Sequence, residues 1–490
     1  VSDFLKNYSI EPGPFEPTWE SLRKFEVPDW FVDAKLGIWA HWGPQCVPMY
    51  GDWYARHMYW EGHLQYLHHW RTYGHPSKFG YTEVAKLWKA ERWDPEALMD
   101  LYVAAGAKYF VAQAVHHDNF DNWNSKHNRF NSTKVGPMKD VVGLWKQAAV
   151  KRGLKFGLSE HLGASHTWWL TNKSSDKTGP YAGVPYDGNN PELADIYHDN
   201  VGAATLDPTN HWKIDPWYSN DVRWHEHWLK RVLDMVDQHS PDILYSDGGL
   251  PWDKVGLTAV AALYNRSAKL HGGVNRAVYQ QKNTDPAVFN IGVLDIERGQ
   301  KDEAVPYIWQ TDTCVGGWFY DVRQVYKTPN HVLEIFVDIV AKNGTLLLNF
   351  TQRPDGTLDE ENLNILKVMG NWMRVNGEGI YATRPWKVAM EGPTRTVSGH
   401  FKEDAQPWAT ADFRFTSKGN AVYAFQMRYP DHREAFIRSL GKTSGHNVTG
   451  VKVLGYDGKV VFNQAEDGLL VRLPDQKVVE YLPCIKVELA

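Results

Sequence analysis

Four apolar runs, each starting just past a helix stop and ending in a cluster of ionisable side chains, constrain this chain more than any other feature. They are KLGIWAHWG (Lys35–Gly43), AKYFVAQAVHHDNF (Ala107–Phe120), LKFGLSEH (Leu154–His161) and PDILYSDGG (Pro241–Gly249). Strands that are apolar throughout, rather than alternating, suit a parallel sheet buried on both faces. Where carboxylates and imidazoles sit only at the C-terminal ends of such strands, a β/α barrel gathers them around one mouth. The pattern points to an enzyme before any residue has a role.

The segments between the runs read as helices. Asp94-Pro95 is an N-cap and N1 pair before Glu96–Ala105, which Gly106 stops. Asp140 opens VVGLWKQAAVKR, stopped by Gly153. Trp224, Trp228, Val232 and Met235 form a helical stripe within Arg223–His239 before Pro241. Val332–Lys342 is another stripe, ended by Asn343-Gly344 and followed by TLLLNF. Alternation on this scale predicts a (β/α) TIM-like barrel over residues 1–387. Two long loops, Trp60–Phe79 and Gly163 to about Asn220, follow strand ends and are expected to lie over the mouth. From Val388 the texture changes to strand-length pieces such as NAVYAFQM, VTGVKVLGY and KVVEYLPCIKVELA. With Asp457-Gly458 as a hairpin signal, residues 388–490 read as a C-terminal all-β sandwich.

The 490 residues exceed one ordinary domain, in keeping with that division. No apolar run approaches the roughly 18 residues of a membrane span. A net charge of −5 argues against nucleic acid or an anionic membrane as partner. Cys46, Cys314 and Cys484 are too widely spaced for a zinc motif and are expected to be unpaired buried thiols. Sequons at Asn7, Asn131, Asn172, Asn265, Asn349 and Asn447 do not settle the compartment. A secreted or periplasmic setting is the expectation, and the start at Val1 leaves a leader undecided. Oligomeric state is not encoded in any pattern here. Of the 23 Trp, most should pack the core, leaving a minority as platforms for sugar faces.

Asp247 follows Ile243–Ser246 and precedes Gly248-Gly249, where backbone or ligand can approach closely. His41, His116 and His117 stand at equivalent strand ends; the last two can share a ligand only if the strand has already ended. Glu160 and His161 end a further strand, and Asp295, Glu297 and Glu303 lie about fifty residues after Asp247. Two chemistries remain open on these residues. A carboxylate pair about 5 Å apart would make a retaining glycosidase. Alternatively, His41, His116 or His117, His161 and Asp247 could ligate zinc in a metal-dependent barrel hydrolase. A sugar-binding protein with a degenerate site is a third class.

The segments KLGIWAHWGPQCVPMYGDWYARHMY, AGAKYFVAQAVHHDNFDNWNSKH, GLKFGLSEH, PDILYSDGG, NGTLLLNFTQRPDGTL and WMRVNGEGIYATRPW, in order from Lys35 to Trp386, resemble glycoside hydrolase family 29, the retaining α-L-fucosidases. The resemblance implies a barrel followed by a β-sandwich, no cofactor, and an oligosaccharide or polysaccharide substrate. By position it implies Asp247 as nucleophile and Glu297 as acid/base, with Asp295 and Glu303 as alternatives. It implies His41, His116 and His117 as partners of sugar hydroxyls, Trp53 as an aromatic contact, and Trp309 and Trp318 as closing residues.

Two departures bear on specificity. Asp52 stands where the family usually has Glu, and Ser159-Glu160-His161 replaces a Tyr-His-Ser-like strand end. Asp52 is one methylene shorter than that Glu, while losing the Tyr and gaining the Glu160–His161 carboxylate-imidazole pair would make the substrate pocket more polar. L-Fucose is 6-deoxy-L-galactose, and a polar wall in place of an apolar one would favour the C6 hydroxyl. An α-L-galactosidase acting on algal-type polysaccharides with terminal α-L-galactose is therefore the alternative within the family.

Overall fold

The computed structural model describes residues 3–199 and 205–490. Eight parallel strands close into a barrel in chain order: β1 (Leu36–Ala40), β2 (Tyr109–Val115), β3 (Lys155–Glu160), β4 (Ile243–Ser246), β5 (Val278–Gln281), β6 (Val293–Glu297), β7 (Trp309–Cys314) and β8 (Gly344–Asn349). Closure is made by β1 on β8, with Leu36 opposite Leu346 and Trp39 opposite Asn349. β1, β2 and β4 are buried along their whole length, as their unbroken apolar runs require.

Outside the strands lie α1 (Leu64–Tyr73), α2 (Pro95–Ala104), α3 (Val141–Lys151), α4 (Val222–His239), α5 (Lys254–Leu270), α6 (Pro329–Ala341) and α7 (Glu360–Asn376). The Asp94 carboxylate accepts from Ala97 N–H at 3.0 Å with Pro95 at the first position of α2, and Asp140 caps α3 through Gly143 N–H at 2.9 Å. Trp224, Trp228, Val232 and Met235 form the buried stripe of α4.

Three expectations need correction. The segment Trp60–Phe79 is not bare loop, because α1 fills half of it; its buried face is Gln65, Tyr66 and His69, too polar to show a hydrophobic period. Gly163–Asn220 carries short helical turns, including Ser165–Trp168 and Ala194–Tyr197, and residues 200–204 lie outside the described residues. No long helix separates β5, β6 and β7, only the single turn Pro286–Phe289.

The C-terminal part is antiparallel, with β9 (Arg384–Glu391), β10 (Phe413–Lys418), β11 (Ala421–Gln426), β12 (Glu434–Ile437), β13 (Val448–Val453), β14 (Phe462–Gln464), β15 (Leu469–Arg472) and β16 (Cys484–Leu489). A sheet ordered β13-β16-β11-β10-β9 faces a smaller one ordered β12-β15-β14. β11 shows the logic of the two faces. Val422 and Ala424 join Ile437, Leu469 and Val471 between the sheets, whereas Tyr423 and Phe425 join Trp372 and Met373 of α7 in the barrel's core. β9 starts four residues before the divide placed at 388. Asp457-Gly458 is not a hairpin: β13 pairs with β16 and β14 with β15, so the chain crosses between sheets there. All three cysteines are free and buried.

Candidate active site

The C-terminal ends of the strands open into a cavity of about 560 Å³. His41 enters it directly after β1, His116 and His117 after β2, His161 after β3, Asp247 after β4 and Glu297 at the end of β6. Because β2 ends at Val115, both of its histidines line the same cavity. Asp52, Trp53 and Trp318 also line it, Trp318 tilted over His41 with ring centroids 5.4 Å apart.

Lys282, which follows β5 and was not anticipated, organises the carboxylates. Its Nζ lies 2.6 Å from Asp247 Oδ1, 2.6 Å from Glu297 Oε2 and 3.8 Å from Asp312 Oδ2. The two oxygens at equal distance from one nitrogen are therefore no more than about 5 Å apart, the separation of paired carboxyls in a double displacement. The Tyr245 hydroxyl reaches both Asp247 Oδ1 (3.3 Å) and Asp312 Oδ2 (3.1 Å).

The imidazoles surround Asp247 on its other side. His117 Nε2 and His161 Nδ1 each lie 3.4 Å from Asp247 Oδ2. His117 Nδ1–H donates to the His161 carbonyl at 2.8 Å. Gln45 Nε2 donates to His116 Nδ1 at 2.7 Å, its own Oε1 being turned to Ala55 N–H, so the His116 proton is on Nε2. Both ring nitrogens of His41 are buried without a partner, leaving it free to bond a ligand hydroxyl.

Burial alone would raise the Asp247 pKa, but the Lys282 ammonium, His161 and His117 reverse this and hold it well below the carboxylate range. Glu297 moves the other way. Burial raises it, with Asp312 and Asp247 adding to the rise and Lys282 opposing it. The two carboxyls are thus pushed apart, one toward the anion and one toward the acid. Burial lowers His41 and His116 well below the usual imidazole value and His161 to about 4, keeping these rings neutral. Asp52, whose carboxylate accepts from Trp53 N–H, is pushed up to about 7 by burial.

Two glycines permit the close approaches here. A Cβ on Gly248, at φ +96°, would lie 2.6 Å from the Tyr218 hydroxyl and 2.8 Å from Trp217 Nε1. A Cβ on Gly299 would lie 1.9 Å from the Gly399 carbonyl oxygen, where the loop between β9 and β10 crosses the barrel mouth. That loop grips the backbone of Glu297: Glu297 N–H donates to His400 Nδ1 (2.9 Å), and Phe401 N–H donates to the Glu297 carbonyl (2.8 Å).

Several expected contacts are not in the cavity. Trp309 is the first residue of β7, at the closed end of the barrel, and its indole N–H donates to the Lys342 carbonyl at 3.0 Å. At about 3.3 Å per residue, the six-residue strand puts it some 17 Å from the mouth. Glu160 turns away from the bowl, accepting from Leu162 N–H (2.9 Å) and Trp228 Nε1–H (3.0 Å), and burial pushes it up to about 7. The polar wall that favoured L-galactose therefore lacks this carboxylate. Asp295 is buried within the barrel, where Gln310 Nε2 donates to it at 2.8 Å. Glu303 is exposed on the loop after β6.

The cavity also contains Trp39, Trp212, Trp217, Arg298, Asp312 and Phe401, none of them anticipated. Ring nitrogens of His116, His117 and His161 come within 4.8 Å of one another, a metal-like cluster. The Asp247 carboxylate that would complete a zinc site is bonded to Lys282 instead, and the ammonium opposes a second cation beside it.

A family model described as alpha-L-fucosidase matches residues 4–378, and one described as the alpha-L-fucosidase C-terminal domain matches residues 406–488. The chain belongs to the alpha-L-fucosidase family. It is a glycoside hydrolase. Human tissue alpha-L-fucosidase is 28% identical over 477 residues, covering 94% of this chain and 88% of that protein. The rat tissue alpha-L-fucosidase is 28% identical over 479 residues, covering 95% and 90%. Among solved structures, the Thermotoga maritima alpha-fucosidase in complex with fucose superposes with a TM-score of 0.74 at 25% identity, covering 96% of this chain and all of that one. Family membership extends over both the barrel and the antiparallel sheets.

Proposed function

We infer that the protein is a retaining exo-α-L-fucosidase releasing terminal α-L-fucosyl residues from oligosaccharides or polysaccharides. The observation that carries this reading is the pair of carboxyls, Asp247 and Glu297, whose nearest oxygens share one ammonium and so lie no more than about 5 Å apart, driven toward opposite protonation states. Asp247, ionised, attacks the anomeric carbon as Glu297 gives its proton to the departing glycosidic oxygen, and the C–O bond breaks. A glycosyl ester on Asp247 results. Glu297, now a carboxylate, takes a proton from water, which attacks the same carbon and frees Asp247. Neutral His41 and His116 bond sugar hydroxyls without adding charge beside the nucleophile, and Trp39, Trp53 and Trp318 supply apolar faces. The chemistry needs neither metal nor cofactor, since the Lys282 ammonium already balances the nucleophile's charge.

Proton NMR of a turnover in progress tests the stereochemistry. The first-formed L-fucose should be the α anomer, converting to β only by mutarotation. The β anomer appearing first would overturn the double displacement.

A further inference from the structure

The loop between β9 and β10 is held at many points. Gly399 and Gln300 exchange two backbone hydrogen bonds (2.8 and 3.3 Å), and Gln300 Nε2 donates to the Lys402 carbonyl (3.1 Å). Glu403 accepts from Arg298 Nε (2.7 Å) and pairs with Lys327 (3.0 Å). Yet this anchored loop leaves Phe401 62% exposed, at a left-handed φ of +56°, on the wall of the cavity. A bulky residue in that backbone region is uncommon. Trp212, on the segment before α4, is a second wall residue left open to solvent, 51% exposed and tilted against Trp53 with centroids 5.0 Å apart.

Chemistry fixes what must lie beside Phe401. A general acid stands within hydrogen-bond reach of the oxygen it protonates. Phe401 N–H is bonded to the backbone carbonyl of Glu297 and both residues line the same cavity, so the loop brings Phe401 to the edge of the bowl beside Glu297. The group carried by the leaving oxygen has to pass that edge. We propose that Phe401 and Trp212 are the aromatic faces of a leaving-group subsite that takes a pyranose ring, one of the two supplied by the C-terminal part of the chain. A pyranose offers an apolar ring face to an aromatic and polar edges to neighbours such as the Trp217 indole N–H, which is buried without a partner. The subsite rests on the acid/base role given to Glu297 above.

The test compares two fucosides that both need protonation of a poor leaving group and differ in the ring: methyl α-L-fucoside and a fucosyl disaccharide. Phe401→Ala should lower kcat/KM on the disaccharide by about tenfold and leave methyl α-L-fucoside within about twofold, with Phe401→Tyr restoring the disaccharide rate. Trp212→Ala, which also frees the Trp53 ring it packs against, should still cost more on the disaccharide than on methyl α-L-fucoside. Equal losses on both substrates would mean that the loop acts only by holding Glu297, and no loss on either would mean that no ring docks there. Either result overturns the subsite. Failure of the unaltered enzyme to cleave either fucoside would instead strike the α-L-fucosidase reading beneath it.

Discussion

Replacing Lys282 by Met removes the one ammonium among Asp247, Glu297 and Asp312 while keeping the side chain's length. Each of the first two loses a charge-assisted contact of 2.6 Å, and Asp312 loses one of 3.8 Å. Unit charges at that 2.6 Å separation interact by about 6 kcal/mol at an effective dielectric of 20, which sets the scale of the effect. Opposite charges this close shift a carboxyl by about 1–3 pH units, each unit being about 1.4 kcal/mol. The signs follow from the roles. Asp247 must be ionised, so raising its depressed pKa moves the acid limb of the kcat/KM profile upward. Glu297 must be protonated, and Lys282 is what restrains its rise, so the alkaline limb moves upward too. The whole bell should slide alkaline, with the largest loss of activity on its acid side. An aryl α-L-fucoside assayed across pH, with thermal unfolding to check the fold, measures both limbs, whose apparent pKa values belong to the coupled pair. Lys282→Arg keeps the charge and should leave the limbs near their original positions. Limbs that stay fixed in folded Lys282→Met would refute the electrostatic reasoning.

Asp247→Gly should lose at least three orders of magnitude in kcat, and azide should restore part of it as a fucosyl azide; near-normal turnover would transfer the nucleophile's role elsewhere. Glu297→Ala should cost about 10²–10⁴-fold on disaccharides and much less on aryl fucosides with good leaving groups, whereas equal losses would remove it as the acid. Trp309→Phe should leave KM within about twofold and lower stability by about 1–3 kcal/mol, seen in denaturant unfolding, because its indole bonds the Lys342 carbonyl at the closed end of the barrel. A large KM effect would put that ring back at the sugar.

How much was legible depended on which side of the barrel a residue occupies. β1, β2 and β4 are apolar along their length, and His41, His116, His117 and Asp247 could be found simply as the first ionisable groups past those runs. The other half of the barrel is polar inside. β5 is Val-Tyr-Gln-Gln, β6 carries Asp295 and Glu297, and β7 reads Trp-Gln-Thr-Asp-Thr-Cys. These groups satisfy one another: Gln280 and Gln310 exchange amide hydrogen bonds at 3.0 and 3.1 Å, and Gln310 also donates to Asp295. A buried strand that answers its own polarity from its neighbours leaves no hydrophobic period to read. Lys282, one residue past β5, was missed for that reason. The same offset misled the reading of Trp309, since an unrecognised β7 gave no way to tell its closed end from its mouth.

Phe401, Arg298 and Trp212 lay beyond reach for a different reason. Each owes its place to a loop meeting a distant element, and such meetings follow from tertiary closure rather than from local pattern. The clearest trace was a glycine, Gly299, whose lack of a side chain is explained only by the Gly399 carbonyl lying against it. This contact also changes what the C-terminal sheets are for. Their inner faces bury apolar area between themselves and against α7, which accounts for stability. The β9–β10 loop does something that burial does not require: it bonds the backbone of Glu297 on both sides and presents an uncovered aromatic ring beside it. A barrel stripped of the sheets would keep Asp247 at the end of β4 but would lose the two bonds that hold the backbone of Glu297 from His400 and Phe401.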